Sequence, residues 1–409
     1  MNEITEMKIV KENKENEKNK EIKENKENKI NKEIISLNGK TILVTGVAGF
    51  IGANLAMRLL REYPDSTIVG IDNVNDYYDV GLKEYRLEMI GKTAQETGSA
   101  DRWIFIRGSI ADKTLIDQIF DKYQFDVVVN LAAQAGVRYS IDHPDVYIES
   151  NIIGFYNILE ACRHSYDKVS AAAGKTASPD GTRKNYRGVQ HLVYASSSSV
   201  YGGNKKVPFS TDDPVDHPVS LYAATKKSNE LLAHSYSKLY DIPSTGLRFF
   251  TVYGPAGRPD MFYFSATQKL VRGESIKIFN YGNCRRDFTY IDDIVEGVVR
   301  VMQGAPVREK GEDGLPIPPY AVYNIGGGQP ENLLDYIQTL QEELVGAGVL
   351  PADYDFAGHQ ELVGMQPGDV PVTYADAAAL ERDYGFTPSI GIREGLRAFS
   401  RWYKDYYQK

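Results

Sequence analysis

Residues 40–52 leave this chain little freedom in how it begins to fold. Lys40-Thr41-Ile42-Leu43-Val44-Thr45 is a short apolar run of the kind that forms a strand buried on both faces. It passes without a linker into Gly46-Val47-Ala48-Gly49-Phe50-Ile51-Gly52, and the residues beyond read as a helix. Such a junction needs glycine for the tight turn and for close approach to the backbone. The helix that opens there offers free N–H groups and a partial positive charge, which suit a diphosphate. The spacing is Gly-x-x-Gly-x-x-Gly. The junction predicts a dinucleotide lying over the turn, with Gly46, Gly49, Phe50, Ile51 and Gly52 against it.

Further strand-like runs follow at Thr67-Ile68-Val69-Gly70-Ile71-Asp72, Trp103-Ile104-Phe105-Ile106, Val127-Val128-Val129-Asn130-Leu131 and His191-Leu192-Val193-Tyr194-Ala195, each separated by helical patterns. That alternation predicts an α/β protein with a Rossmann-type doubly wound parallel sheet. From about Pro255 the alternation breaks up, which suits a smaller C-terminal substrate-binding lobe interleaved with the last strands of the sheet. The expected division is a Lys/Glu/Asn-rich disordered tail over 1–38, a nucleotide-binding domain over 39–254, and the lobe over 255–409. Two polar stretches, 165–188 and 307–319, read as a surface insertion and a loop.

Asp72 ends the second strand, where a carboxylate can accept from ribose hydroxyls and repel a 2′-phosphate, so NAD is favoured over NADP. Asn73 follows it. Leu131, Ala132 and Ala133 end the fourth strand with small or apolar residues that let a cofactor lie against backbone. Asn151, in the next helical region, is a further candidate.

Tyr222 and Lys226 stand four apart in Leu221-Tyr222-Ala223-Ala224-Thr225-Lys226, on one face of a helix. An ammonium near a phenol favours the phenolate, so the lysine is expected to lower the tyrosine pKa. A tyrosine tuned in that way can take a proton from a hydroxyl while hydride leaves the same carbon.

The chain has 409 residues, a formal charge of -8 and a pI of about 5.5, an acidic balance unlike that of a nucleic-acid binder. Two cysteines and six histidines give neither a disulfide framework nor metal-ligand spacing. No apolar run is long enough to span a bilayer, and the N-terminus lacks an apolar signal core, so a cytoplasmic location is expected.

With these pieces placed, the chain resembles the extended short-chain dehydrogenase/reductase family, in its nucleotide-sugar branch. The likeness runs from about Thr41 to the C-terminus. It rests on the glycine turn, Asn130-Leu131-Ala132-Ala133, the segment Ala195-Ser196-Ser197-Ser198-Ser199-Val200-Tyr201-Gly202, the Tyr222/Lys226 pair and Arg285-Arg286-Asp287-Phe288-Thr289-Tyr290. Within the branch it looks most like UDP-glucuronate 4-epimerases, through Gln134-Ala135-Gly136-Val137-Arg138-Tyr139-Ser140, Leu247-Arg248-Phe249-Phe250-Thr251-Val252-Tyr253-Gly254-Pro255 and Gly257-Arg258-Pro259-Asp260-Met261.

The resemblance implies bound NAD, a UDP-sugar substrate and a homodimer built on two helices per subunit, one of them starting at Tyr222. It implies Ser197 as third catalytic member, although the run of four serines leaves a one-residue error open. Arg286 and Asp369 match positions that hold the diphosphate and uridine ribose, and Phe279 one that frames the uracil. Ser109, beside Ile110, stands where an Asp near the adenine is usual; Ala256 replaces a usual tryptophan, and Gln366 an arginine of galactose epimerases.

The implied reaction is oxidation and re-reduction at C4. A 4-keto uronic acid is a β-keto acid and loses CO2 unless its carboxylate is held out of line with the ketone. Arg258 and Thr251, with Ser197 or Ser198, are the candidates for that grip, and Arg138 could also face the carboxylate. UDP-glucuronate decarboxylase and UDP-glucose 4-epimerase remain alternatives. A 4,6-dehydratase would need an acid/base pair where Ser198 and Ser199 stand. A non-catalytic NAD-binding regulator is the reading from another class.

Overall fold

The computed structural model describes residues 30–172, 187–365 and 370–408. Residues 1–29 of the expected tail, 173–186 of the expected insertion, Gln366 and Asp369 lie outside them. Seven strands form one parallel sheet: β1 (Thr41–Thr45), β2 (Thr67–Asp72), β3 (Trp103–Arg107), β4 (Val127–Asn130), β5 (His191–Ser197), β6 (Ser244–Phe249) and β7 (Tyr320–Ile325). Their spatial order is β3-β2-β1-β4-β5-β6-β7. The order reverses between β1 and β4, and in an open sheet of this kind ligands bind in the crevice at the carboxyl ends there.

The strands alternate between two cores. Ile42, Val44, Val127 and Val129 pack on one face with Leu55, Leu59, Ile294 and Val298, whereas Leu43, Val69, Val128 and Leu192 pack on the other with Ile116, Phe120, Ile158 and Leu159. Helices therefore cover both faces: α1 (Phe50–Glu62), α2 (Val80–Glu96), α3 (Lys113–Tyr123), α4 (Phe155–Ala172) and α5 (Leu221–Tyr240). Each fully buried aliphatic side chain contributes about 1.5–3 kcal/mol, which is why the central strands tolerate so little polarity.

β7 comes from well beyond residue 255, so the late chain is interleaved with the sheet. Between β6 and β7 the chain makes an excursion containing the parallel pair Thr251–Tyr253 and Phe288–Tyr290, and helices α6 (Phe262–Val271) and α7 (Ile291–Met302). Arg58 on α1 meets Glu296 on α7 at 2.7 Å, tying the excursion to the first helix.

Three expectations change. A short strand, Lys32–Ile34, pairs antiparallel with Gly304–Pro306, and Ile35 and Leu37 are buried. The folded chain thus starts before residue 38, because two apolar side chains at alternating spacing cover the edge of the core. α4 continues to Ala172, so the polar stretch expected from residue 165 begins inside a helix; the Ser165 hydroxyl donates to Cys162 O and accepts from Val189 N. The stretch 307–319 is a hairpin, with Glu309–Lys310 paired to Pro316–Ile317, rather than a plain loop. Among the described residues, no helix is long and apolar enough to cross a membrane, and no group of three or more His, Cys, Asp or Glu is placed to hold a metal ion.

Candidate active site

A cleft of about 1280 Å³ opens at the carboxyl ends of the strands and runs from the glycine turn to the excursion between β6 and β7. At its first end, Gly46 has φ +69°, and a Cβ there would stand 2.7 Å from the backbone nitrogen of Ala132. A Cβ on Gly52 would meet the carbonyl of Gly46 at 2.3 Å. Larger residues are thus excluded by the backbone itself. α1 starts at Gly49 with no side-chain cap, so its first N–H groups are left for a ligand. The Asp72 carboxylate accepts from Ala48 N at 3.0 Å and Val74 N at 2.8 Å, which fixes it at the rim beside Asn73. Ser109, Ile110, Leu131, Ala132 and Ala133 complete this wall. A glycine cradle, an uncapped helix end and a fixed carboxylate together fit NAD.

Asn151 is not on that wall. It is buried, and its side-chain oxygen accepts from Gln134 N at 2.8 Å while its nitrogen donates to Gln134 O and to Thr225 Oγ1, both at 3.0 Å. Its amide joins the segment after β4 to α5. Asn151, expected against the cofactor, does not line the cleft; its side chain braces the wall from behind, set in the π-helical stretch Ile148–Gly154.

The middle of the cleft holds Ser197, Tyr222 and Lys226. Ser220 caps α5 by accepting from Ala223 N, which sets the first turn and places Tyr222 over the end of β5. Strand alternation separates the serines. Ser196 donates to Glu230 Oε1 at 2.7 Å, whereas Ser197 lies within hydrogen-bonding reach of the Tyr222 phenol. Ser197 Oγ also accepts from Ser199 Oγ at 2.9 Å. Lys226 Nζ donates to Ala195 O at 2.8 Å, and burial pushes the amine down to about 7.

The expectation that Lys226 lowers the Tyr222 pKa is corrected. Burial dominates and raises it; the Ser197 hydrogen bond and the nearby Arg258 charge pull the other way, and Asp260 adds a further upward push. An amine that is itself half neutral at pH 7 is a weak electrostatic lever on the phenol.

A family model described as NAD dependent epimerase/dehydratase family matches residues 42–326. The chain belongs to the NAD dependent epimerase/dehydratase family. Protein CapI of Staphylococcus aureus is 45% identical over 374 residues, covering 90% of this chain and 99% of that protein. UDP-glucuronate 4-epimerase 4 of Arabidopsis thaliana is 41% identical over 377 residues, 90% of this chain and 76% of that one. The crystal structure of UDP-glucuronic acid 4-epimerase from Bacillus cereus in complex with UDP-glucuronic acid and NAD superposes with a TM-score of 0.69 at 31% identity, over 90% of this chain and all of the other.

In this epimerase/dehydratase chain the far end of the cleft is lined by Arg138, Ser198, Thr251, Arg258, Phe279 and Arg286. The Arg138 guanidinium sits 5.5 Å from the centre of the Phe279 ring. Arg286 Nη1 donates to the carbonyls of Arg285 and Pro371 at 3.1 and 3.0 Å, which steadies its fork at the mouth. Arg258 makes a two-point ion pair with Asp260, at 3.0 and 2.5 Å, and Asp260 also accepts from Tyr77 at 3.1 Å. The guanidinium holds the Asp260 carboxyl below the usual carboxylate range against the opposing effect of burial.

Sequence reasoning missed several supports. Glu230 and Arg248 form a buried bidentate pair at 2.8 and 2.9 Å beneath Tyr222's helix, extended by Ser196 and Tyr201. Glu230 is two turns along α5 from Tyr222, on the same face, a spacing that was visible. The buried Arg86 and Lys83 sit on α2, whose apolar periodicity is weak, so nothing marked them as inward-facing. Asp260 stands in the sequence only as part of the 257–261 motif, and nothing there marked Tyr77 as its partner.

Proposed function

We propose that this chain interconverts UDP-glucuronate and UDP-galacturonate by transient oxidation at C4 of the sugar. Tyr222 takes the proton of the C4 hydroxyl, with Ser197 bridging that hydroxyl and the phenol. NAD, when bound, accepts hydride from C4 and gives it back. Lys226 bonds the nicotinamide ribose and holds its amine beside the end of β5. After the 4-keto sugar has turned over, Tyr222 returns its proton on the other face. Arg286 anchors the diphosphate by its fork, Phe279 frames the uracil, and Asp369 is assigned the uridine ribose. Gly46, Gly49 and Gly52 admit the pyrophosphate, and Asp72 the adenosine ribose.

The observation that carries this reading is the meeting of Ser197, Tyr222 and Lys226 in one cleft with Thr251 and Arg258, a hydride-transfer centre next to a cationic grip. Arg258 and Thr251 would hold the sugar carboxylate, with Ser198 and Arg138 beside it. The Arg258–Asp260 pair favours a second reading, UDP-glucuronate decarboxylase, because a guanidinium that already holds one carboxylate grips a second less firmly. Incubation with UDP-glucuronate, followed by separation of the UDP-sugars, decides: UDP-galacturonate is expected, and UDP-pentose as the sole product overturns the epimerase reading.

A homodimer is part of the proposal. Tyr156 on α4 and Leu231, Leu239 and Tyr240 on α5 are exposed apolar side chains on the two helices a second copy would cover. The two described cysteines, Cys162 and Cys284, are buried and unbonded, which supports a reducing, cytoplasmic setting.

A further inference from the structure

We infer that Arg86 is a positioning residue that ties the dinucleotide turn to the sugar-holding loop, and that this tie keeps the 4-keto sugar from losing CO2; the second half rests on the uronate reading above. Arg86 is 2% exposed, on the inner side of α2. Its Nη1 donates to Ala48 O at 2.9 Å and to the Tyr78 hydroxyl at 2.6 Å. Its Nε donates to Ala256 O and its Nη2 to Gly257 O, each at 2.9 Å. All four acceptors are neutral oxygens. Burying a guanidinium is costly unless its donors are hydrogen-bonded, and here Nε, Nη1 and Nη2 each have a partner.

The segments it holds are the two walls of the cleft. Ala48 is in the glycine turn, and its own N–H is the donor to Asp72. Ala256 and Gly257 immediately precede Arg258. Ala256 has φ +51°, a left-handed conformation that a residue with a Cβ rarely adopts. Gly257 lies so close to Tyr263 that a Cβ would stand 1.7 Å from its hydroxyl. The loop is thus bent against its preference, and the planar fork of Arg86 meets two successive carbonyls of the bend. A lysine has a single ammonium and cannot span both.

The chemistry gives the tie its consequence. In a 4-keto uronate, loss of CO2 breaks the C5–C6 bond, and the electron pair moves into the C4–C5 enolate. Protonation at C5 then gives a 4-keto pentose, and hydride return at C4 gives UDP-pentose. No further oxidant or reductant is needed. The break requires the C5–C6 bond to align with the ketone π-system, so the outcome depends on where Arg258 stands relative to the nicotinamide side. Arg86 fixes that relation through backbone on both sides.

The test is Arg86→Lys, assayed for bound NAD, kcat, KM and product ratio with UDP-glucuronate. The expected result is NAD content near that of the parent enzyme and a UDP-pentose share raised roughly tenfold, since a displacement on the order of 1 Å in a holding group has effects of that size or larger. A parent-like product ratio, with kcat and NAD content falling together, overturns the assignment and leaves Arg86 as packing alone. Tyr78→Phe removes one acceptor and no charge, and a smaller rise in the same direction is expected. Should Arg86→Lys not fold, an unchanged ratio in Tyr78→Phe overturns the proposal by itself. Failure of the parent enzyme to convert UDP-glucuronate at all overturns the shared reading instead, and is seen before any variant is made.

Discussion

Replacing Lys226 by Met should abolish part of the pH dependence of stability, and the size can be worked out. Burial lowers the amine from an ordinary 10.5 to about 7. Between those values the unfolded chain binds more protons than the folded one, so stability rises with pH across that window. At pH 7 the unfolded lysine is fully charged and the native one half charged, a penalty on folding of roughly 4 kcal/mol; at pH 9 it falls to roughly 2 kcal/mol. Wild-type protein stripped of nucleotide should therefore gain about 2 kcal/mol between pH 7 and 9 that Lys226→Met does not. Methionine has a similar length and fills the same space without a charge. Urea unfolding of both proteins at both pH values gives the double difference, with other titrating groups cancelling. If the two proteins change by the same amount to within about 0.5 kcal/mol, the amine is not the desolvated group described here.

Two further outcomes follow from the site. Arg258→His should raise the share of UDP-pentose formed from UDP-glucuronate, measured by separation of the UDP-sugars; an unaltered ratio would remove Arg258 from the carboxylate grip. Glu230→Gln leaves the Arg248 charge buried without its counter-ion and should cost roughly 3–5 kcal/mol in denaturant unfolding. A loss under about 1 kcal/mol would mean that the pair is not a support of α5.

The first five strands of the sheet were legible because their signals are local and redundant: apolar runs of strand length, helical patterns between them, and a glycine turn whose three positions are each excluded to a Cβ or pinned by backbone; Ser244–Phe249 and Tyr320–Ile325 were not picked out. The walls of the cleft were legible for the same reason, since Asp72 and Ala132-Ala133 come at strand ends. What escaped depends on contacts far apart in sequence. That Asn151 braces Gln134 against Thr225 is visible only in the fold. Arg86 bonds residues 38 and 170 positions away, and no periodicity announces that. The Tyr222 pKa was misjudged because spacing reveals a neighbouring ammonium but not the burial that neutralises it. Residues 32–38 were absorbed into a charged tail because their two apolar anchors, Ile35 and Leu37, are too few to register as a strand.

The hairpin at Glu309–Lys310 and Pro316–Ile317 stands apart from all of this chemistry. Residues 311–315 at its tip are mostly exposed, and no residue from 289 to 332 lines the cleft. Its base is nevertheless pinned, since the flanking chain runs straight into β7. Lengthening such a tip adds little closure entropy, about 0.6 kcal/mol per doubling. This makes it a grafting point: a tag, a reporter or a second enzyme inserted there would ride on the sheet without altering the distance between coenzyme and sugar.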